Sequence, residues 1–299
     1  MTPRDLLALR FIAEAQPVTT GQVRRLLDLS EDMAHRRLAV LRDHGLVRVH
    51  VQAQHAPNRY TLAPAALPVL CRLSGSSPED LWVPRGIDRV DLNHHSAAVD
   101  VFVALRSATT RSGRVRLVRW IFERELRKAA GDGVGVLVPD AVGLFELHDG
   151  HQVAVALEVD LATENPNYVG RKALNYADLR DAAAPMLGTP DWVVACVVAA
   201  PERRLHRLAV AVAEAGVSER LWHFALLDRL DSRAVLGPVW LTPSVDRVAN
   251  TVALASSSPW EGVGTGGRNS SDGRAPVGTR PQADRGAARS GAFSSEDAR

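Results

Sequence analysis

Apolar residues in the first sixty positions recur first at helical spacing and then at strand spacing. Helical spacing covers residues 4–15, 20–27 and 31–44. Pro17 ends the first of these stretches, Ser30 can cap the third, and Gly45 follows its end. Residues 46–52 and 59–62 then alternate apolar and polar side chains around a turn. The pattern predicts three helices followed by a two-stranded ribbon.

This order is typical of a winged helix-turn-helix domain, which we place at residues 1–63. At about 100° per residue, Ala34 and Leu38 of the third helix face the core, while Arg36 points outward. We therefore predict that the domain binds double-stranded DNA, because an arginine can fork onto guanine or phosphate. The candidate contacts on the third helix and the wing are His35, Arg36, Arg37, Arg42, Asn58 and Arg59. A solvated surface or a protein-interaction module would show a similar face.

The following part of the chain alternates between helical and strand-like runs. Helical spacing covers 94–109, 165–183 and 201–215, and strand-like runs cover 114–122, 135–147, 152–160, 191–199 and 221–227. We predict an α/β (α+β) fold class, with an αβββαβ domain over residues 91–250 after a Pro- and Gly-rich connector, 64–90. Residues 251–299 contain few aliphatic side chains, and we expect a disordered tail there.

Composition narrows the class of protein. The 299-residue chain is 46% hydrophobic with a net charge of +2, so DNA binding must depend on local clusters of charge. Only Lys128 and Lys172 among its 36 basic residues are lysines, which makes arginine a weak functional signal. The two cysteines have no metal-type spacing. The chain shows neither a signal peptide nor an apolar run of about 20 residues, so we expect a cytoplasmic protein without a membrane segment.

Three acidic residues stand out in the second half of the chain. Asp140 lies just inside one apolar run, and Glu158 and Asp160 end the next. Strand alternation puts Glu158 and Asp160 on one face. Carboxylates that converge at the ends of two paired strands are costly without positive charge between them. A divalent cation, an arginine or lysine side chain, or bulk water could meet that need.

The order helix, strand, strand, strand, helix, strand resembles the core of the PD-(D/E)xK nuclease-like fold. That resemblance implies Mg²⁺ ligands at Asp140 and Glu158, with Asp160 as a third, and a lysine that helps to activate water. Asp160 stands where the lysine is expected, so Lys172 on the following helix is the candidate replacement. These four residues form the candidate catalytic set. The alternatives are that Lys172 is a solvated side chain, or that it only neutralises the carboxylates by pairing with Glu158 or Asp160.

Five further residues are secondary candidates for this region: Glu123, Glu125, His94, His95 and Tyr176. Glu123 or Glu125 could join the carboxylates, or both could begin a solvated helix. His94 and His95 open a helix, where capping is the alternative to phosphate contact. Tyr176 lies one turn after the candidate lysine, so the two side chains share a helix face.

The chain resembles the replication-relaxation family of bacterial plasmid, phage and mobile-element proteins over roughly residues 4–200. The resemblance rests on Gly45-Leu46-Val47, Tyr60-Thr61-Leu62, the helix start at 94–101, Pro139-Asp140-Ala141, Glu158-Val159-Asp160, Thr163-Glu164, Lys172 and Tyr176. Departures from the family pattern occur at Ala63 and at Leu161-Ala162. The resemblance implies a role in plasmid replication and in relaxation of plasmid DNA.

The sequence therefore favours a DNA-binding protein of replication-relaxation type that acts on plasmid or mobile-element DNA. One alternative is a Mg²⁺-dependent endonuclease that nicks DNA through the four candidate catalytic residues; the missing lysine weighs against it. A second alternative is a winged-helix transcriptional regulator. The expected partners are double-stranded DNA and proteins of plasmid replication or mobilisation, and Mg²⁺ is a cofactor only for the nuclease.

Overall fold

The structure is a computed structural model of the chain. It describes residues 1–52, 56–75, 77–78, 81–87, 92–130, 137–178, 189, 191–244 and 251–252. Parts of five predicted segments lie outside these residues: the wing tip, the connector at 64–90, the strand at 135–147, the helix at 165–183 and most of the tail.

Three helices and a small sheet form the N-terminal part of the fold. The helices are α1 (Pro3–Ala15), α2 (Thr20–Leu27) and α3 (Glu31–Asp43). The strands are β1 (Val18–Thr19), β2 (Val47–His50) and β3 (Arg59–Leu62), in the antiparallel order β1-β3-β2. Thr19 caps α2 in a reciprocal capping box with Gln22, and Ser30 caps α3 as predicted. Gly45 adopts φ +67° just after α3, a left-handed conformation that glycine tolerates best.

A short helix, α4 (Leu67–Ser74), leads into the α/β part of the chain. Its helices are α5 (Leu92–Ser112), α6 (Glu123–Ala130), α7 (Pro166–Asp178) and α8 (Glu202–Glu214). Its strands are β4 (Val115–Phe122), β5 (Ala141–Leu147), β6 (Gln152–Asp160), β7 (Trp192–Val198), β8 (Trp222–Leu226), β9 (Trp240–Leu241) and β10 (Thr251–Val252). None of the described helices is both long enough and apolar enough to cross a lipid bilayer.

The seven strands form one mixed sheet in the order β10-β9-β8-β7-β6-β5-β4. β5 and β6 are the predicted hairpin, whereas β6, β7 and β8 run parallel to one another. Alternate residues of the central strands enter two apolar layers. Val155 and Leu157 pack on the side of α5, and Ala156 and Val194 pack on the side of α7 and α8. The fold is thus mixed α/β, as predicted.

A glycine sets how closely α7 approaches α8. A Cβ atom added at Gly170 would lie 2.8 Å from the backbone oxygen of Ala211. Such a distance is well inside van der Waals contact, so a larger residue would push the two helices apart. Val169 and Ala173 on the same helix are buried against the sheet. These contacts fix the position from which α7 presents its polar side chains to β6.

Polar contacts join the N-terminal helices to the α/β part. Gln22 Nε2 donates to Asp100 Oδ1 at 2.9 Å, and Arg25 pairs with the same carboxylate. A ring nitrogen of His95 lies 2.9 Å from the backbone oxygen of Ala15. Both parts belong to one compact unit. α2 is therefore held directly against α5.

Three predicted boundaries need correction. β5 begins at Ala141, so Asp140 precedes the strand, although its N–H still donates to the oxygen of Leu157 at 3.0 Å. Along the chain, helix α6 lies between β4 and β5, whereas the prediction had one strand follow the other directly. Thr251–Val252, the first two residues of the predicted tail, pair with β9.

Candidate functional site

The β5–β6 hairpin brings two carboxylates opposite each other. Ala141 pairs with Leu157, and continuing this antiparallel register by one position sets Asp140 across from Glu158. A backbone bond extends the ladder to this point, because the N–H of Asp140 donates to the oxygen of Leu157 at 3.0 Å. The N–H of Val159 also donates to the side-chain oxygen Asp140 Oδ2 at 2.7 Å. Like charges at directly opposed positions repel each other. The hairpin therefore creates a local demand for positive charge.

Lys172 on α7 supplies that charge. Its Nζ donates to Glu158 Oε2 at 2.6 Å, and the Tyr176 hydroxyl donates to the other oxygen, Oε1. Glu158 is only 7% exposed, and Tyr176 packs against the rings of Trp192 and Trp222. The two α7 side chains are four residues apart and share one helix face, as the sequence predicted. Together they satisfy both oxygens of a buried carboxylate.

Burial is the largest single influence on the pKa values of Glu158, Lys172 and Tyr176. Loss of solvent raises the pKa of Glu158 to about 7. Lys172 acts to lower this pKa, and the Asp140 carboxylate raises it further. Burial alone would lower the pKa of Lys172, but the Glu158 carboxylate outweighs it and the pKa lies above its ordinary value. Burial and the same carboxylate raise the pKa of Tyr176 well above its ordinary value. The lysine is thus a permanent cation at neutral pH, whereas Glu158 titrates there.

Asp160 belongs to a second ion pair. Arg204 on α8 binds it in a bidentate manner, with Nε 2.9 Å from Oδ2 and Nη2 2.7 Å from Oδ1. The guanidinium also donates to the backbone oxygen of Glu164 at 2.6 Å. The hydrogen bonds to Asp160 raise the pKa of Arg204 further. Glu158 and Asp160 share a sheet face as predicted, but each is matched by its own cation.

We refer to this group as the strand-end cluster, which consists of Asp140, Glu158, Asp160, Lys172, Tyr176 and Arg204. The predicted Mg²⁺ ligands among its carboxylates do not fit the ion in this arrangement. Both Asp160 oxygens accept from Arg204, and both Glu158 oxygens accept from α7. Within the described ranges, no three His, Cys, Asp or Glu side chains are grouped so that they could hold a metal.

Of the five secondary candidates, Tyr176 is part of the cluster, whereas Glu123, Glu125, His94 and His95 lie outside it. His94 Nδ1 is 3.8 Å from Asp140 Oδ2, beyond hydrogen-bond distance. His95 turns toward α1, where burial lowers its pKa. Glu123 donates its N–H to the backbone oxygen of Asp140 at 2.9 Å, while its carboxylate pairs with Arg127. Glu123 and Glu125 lie in the first turn of α6, as the solvated-helix alternative predicted.

A second candidate surface is the outer face of α3. Ala34, Leu38 and Leu41 are buried, as predicted from the helical phase. His35, Arg36 and Arg42 are exposed on the outer side. Their neighbours differ, as His35 lies 3.9 Å from Glu31 and Arg42 pairs with the adjacent Asp43. Arg36 has no side-chain partner anywhere in the described part of the chain.

Two of the predicted DNA contacts are not on this surface. Arg37 turns back to α1, where Nη1 lies 3.1 Å from Asp5 Oδ1 and 3.1 Å from the Thr2 hydroxyl. Arg59 is only 8% exposed, and its Nη1 has no hydrogen-bond partner within the described residues. Burial lowers the pKa of Arg59. By contrast, Asn58 is exposed beside the wing.

Sequence reasoning missed Arg204, which holds one of the three carboxylates. Arg204 lies 44 positions after Asp160, on a helix whose register to β6 is set by tertiary packing. In a chain with 36 basic residues, all but two of them arginine, a single Arg carries no signal of its own. Lys172 was identifiable because only one other lysine occurs.

Comparison with known protein families agrees with the resemblance in the sequence. The family model described as replication-relaxation matches residues 9–189, which is more than half of the 299-residue chain. The matched range includes α3 and all of the strand-end cluster except Arg204. No curated protein and no solved structure matched the chain significantly. The family match supports a role related to replication, and the chain belongs to the replication-relaxation family.

Proposed function

We propose that this chain is a DNA-binding protein of replication-relaxation type that engages duplex DNA through the outer face of α3. The observation that carries the proposal is Arg36. Its guanidinium is exposed on the side of α3 opposite the buried residues Ala34 and Leu38, and no described residue pairs with it. A free guanidinium can form bidentate bonds to guanine or to phosphate.

The order of elements around α3 supports this proposal. A helix, a short strand, two helices and two strands follow one another, and β1 pairs with β3 beside β2. The turn between α2 and α3 is short and contains Asp28 in a left-handed conformation, φ +49°. In helix-turn-helix proteins the second helix of such a pair enters the major groove. α3 is the corresponding helix here, and β2 and β3 correspond to the wing.

The polar residues around Arg36 suit a nucleic-acid surface. His35 and Arg42 are exposed on the same helix, and Asn58 is exposed beside the wing. The pair between Arg42 and Asp43 is fully on the surface, so phosphate can compete for Arg42 at small cost. Arg37 and Arg59 are left out of the proposed surface because both point into the protein. DNA of a plasmid or mobile element is the proposed target, given the family.

The strand-end cluster does not favour the Mg²⁺-dependent nuclease. Two protein cations already pair with Glu158 and Asp160, two of the three acidic residues that the nuclease would use as metal ligands. The bond of Lys172 to Glu158 is that of an internal pair, which was an alternative to catalysis, and Arg204 forms a second internal pair with Asp160.

DNA binding by the full-length chain tests the proposal. Fluorescence anisotropy with a labelled duplex would compare the wild type with Arg36→Ala at a fixed salt concentration. We expect the variant to bind at least about tenfold more weakly. Arg207→Ala is the matched control, because Arg207 is an exposed arginine on α8, outside the proposed surface. Equal affinities of the Arg36→Ala variant and the wild type would contradict the proposal.

A further inference from the structure

We infer that the Lys172 ammonium, which binds Glu158 near Asp140, takes the place of a divalent cation at the β5–β6 hairpin, and that removing it would uncover a site for such a cation. The inference concerns the metal chemistry of the β5–β6 hairpin and does not depend on DNA binding. The carboxylates are chemically suited to Mg²⁺, but their arrangement is not.

The hairpin register is the first step. Asp140 lies across from Glu158, and the bond from the Val159 N–H to Asp140 Oδ2 holds the first carboxylate beside the second strand. Two opposed carboxylates are hard oxygen donors of the kind that Mg²⁺ and Mn²⁺ bind. They also repel each other when both are ionised, so a cation near them stabilises the pair.

The position of Lys172 is the second step. Its Nζ lies 2.6 Å from Glu158 Oε2, and its side chain is 20% exposed, so the ammonium is largely sheltered from solvent. The close approach of Gly170 to Ala211 fixes the helix that carries it. A divalent ion bound to the same oxygen would meet a positive charge at short distance in a poorly solvated place. Lys172 therefore both satisfies Glu158 and excludes a metal from the same oxygen.

Asp160 is already bound by an arginine. Arg204 binds both of its oxygens, so this third carboxylate is not free to complete a metal site. That leaves two carboxylates and one ammonium at the hairpin. Loss of the ammonium would leave Asp140 and Glu158 as an uncompensated pair of oxygen donors. The remaining ligands of a bound ion would be water, as is common for Mg²⁺.

Mn²⁺ binding to the full-length chain tests this inference. Titration of Mn²⁺, followed by the loss of the free-ion electron paramagnetic resonance signal, would compare wild type, Lys172→Ala and Lys172→Ala/Glu158→Gln. We expect Lys172→Ala to bind Mn²⁺ at least about tenfold more tightly than wild type. The double variant should lose the gain, because one of the two oxygen donors becomes an amide. Lys128→Ala is the matched control for the loss of one lysine, and Lys128 is exposed on α6.

Two results would overturn the inference. The first is stoichiometric Mn²⁺ binding by the wild type that Asp140→Asn abolishes, because Lys172 would then not exclude the metal. This measurement uses only the wild type and Asp140→Asn, so it does not depend on whether the Lys172 variants fold. The second is a folded Lys172→Ala protein, verified by circular dichroism, that binds Mn²⁺ no better than the wild type.

Discussion

Two regions of the molecule carry similar charges in opposite surroundings. On the outer face of α3, Arg36 is exposed and no described residue pairs with it. In the strand-end cluster, Lys172 and Arg204 are mostly buried, and each lies within 3 Å of a carboxylate oxygen. Burying a charge costs several kcal/mol unless a partner compensates it, whereas an exposed charge costs almost nothing. The buried cations therefore hold the fold, while the exposed one remains available to a partner.

The difference extends to the ion pairs themselves. Arg42 and Asp43 form a surface pair, and pairs of that kind contribute about 0–1 kcal/mol. The pair between Lys172 and Glu158 has side chains 20% and 9% exposed. Breaking a buried pair on one side leaves a charge without compensation, which costs far more than the pair contributes as a whole. Stability measurements should therefore separate the two regions clearly.

Removal of Lys172 should have the largest effect on stability. Lys172→Met keeps much of the side-chain volume but leaves the Glu158 carboxylate with only the Tyr176 hydroxyl. We expect the free energy of unfolding to fall by about 2–3 kcal/mol at neutral pH, as measured by chemical denaturation. The loss is limited because Glu158, whose pKa is about 7, takes up a proton once the lysine is gone. Lys128→Met should change it by less than about 0.5 kcal/mol, because Lys128 is on the surface. A small loss in Lys172→Met would mean that the buried pair does not stabilise the fold.

The sequence predicted the shared face of Glu158 and Asp160 because strand alternation is a local property. It also identified Lys172 as a cation that could reach them, and the structure confirms that contact. It could not choose between a metal and a protein cation. That choice depends on where α7 and α8 cross the sheet, which tertiary contacts such as Gly170 against Ala211 determine.

The fold was predictable to a similar extent. Caps and helical phase identified α1, α2 and α3, since Ser30 and the spacing of Leu38 and Leu41 are local signals. The prediction omitted β1, because a strand of two residues has no periodicity of its own and forms only by pairing with β3. The burial of Arg59 was missed for a related reason, since its strand, β3, is the central strand of the small sheet, between β1 and β2.

The pH dependence of stability should reveal the burial of Glu158. Its pKa is raised from 4.5 to about 7 on folding, so the folded state binds the proton more tightly than the unfolded state. This contribution to stability is complete below about pH 4.5 and is lost as the pH rises to about 7, by at most about 1.4 kcal/mol per pH unit. Histidines whose pKa is lowered by burial, such as His95, act in the opposite direction.

The signal is therefore the difference between wild type and Glu158→Gln, measured by denaturation at pH values from 5 to about 8. We expect the wild type to lose more stability than the variant as the pH rises. Glu146→Gln is the matched control, because it also removes one carboxylate. Glu146 lies on the neighbouring strand, where it pairs with Arg116. Parallel curves for the wild type and Glu158→Gln would contradict the raised pKa.

The smallest effect on stability should come from Arg36, and its neighbour on α3 provides the comparison. Arg36→Ala removes an exposed side chain without a described partner, so the free energy of unfolding should change by less than about 0.5 kcal/mol. Arg37→Ala removes two bonds to α1, one of them to the buried Asp5, and should cost about 1–3 kcal/mol. Both variants would be measured by denaturation and by duplex affinity. If the proposed surface is right, Arg36→Ala weakens DNA binding more than Arg37→Ala does, whereas Arg37→Ala lowers the stability of the fold more. If Arg36→Ala lowers stability as much as Arg37→Ala, the guanidinium of Arg36 is part of the folded structure, and its loss of DNA affinity could not be assigned to a direct contact.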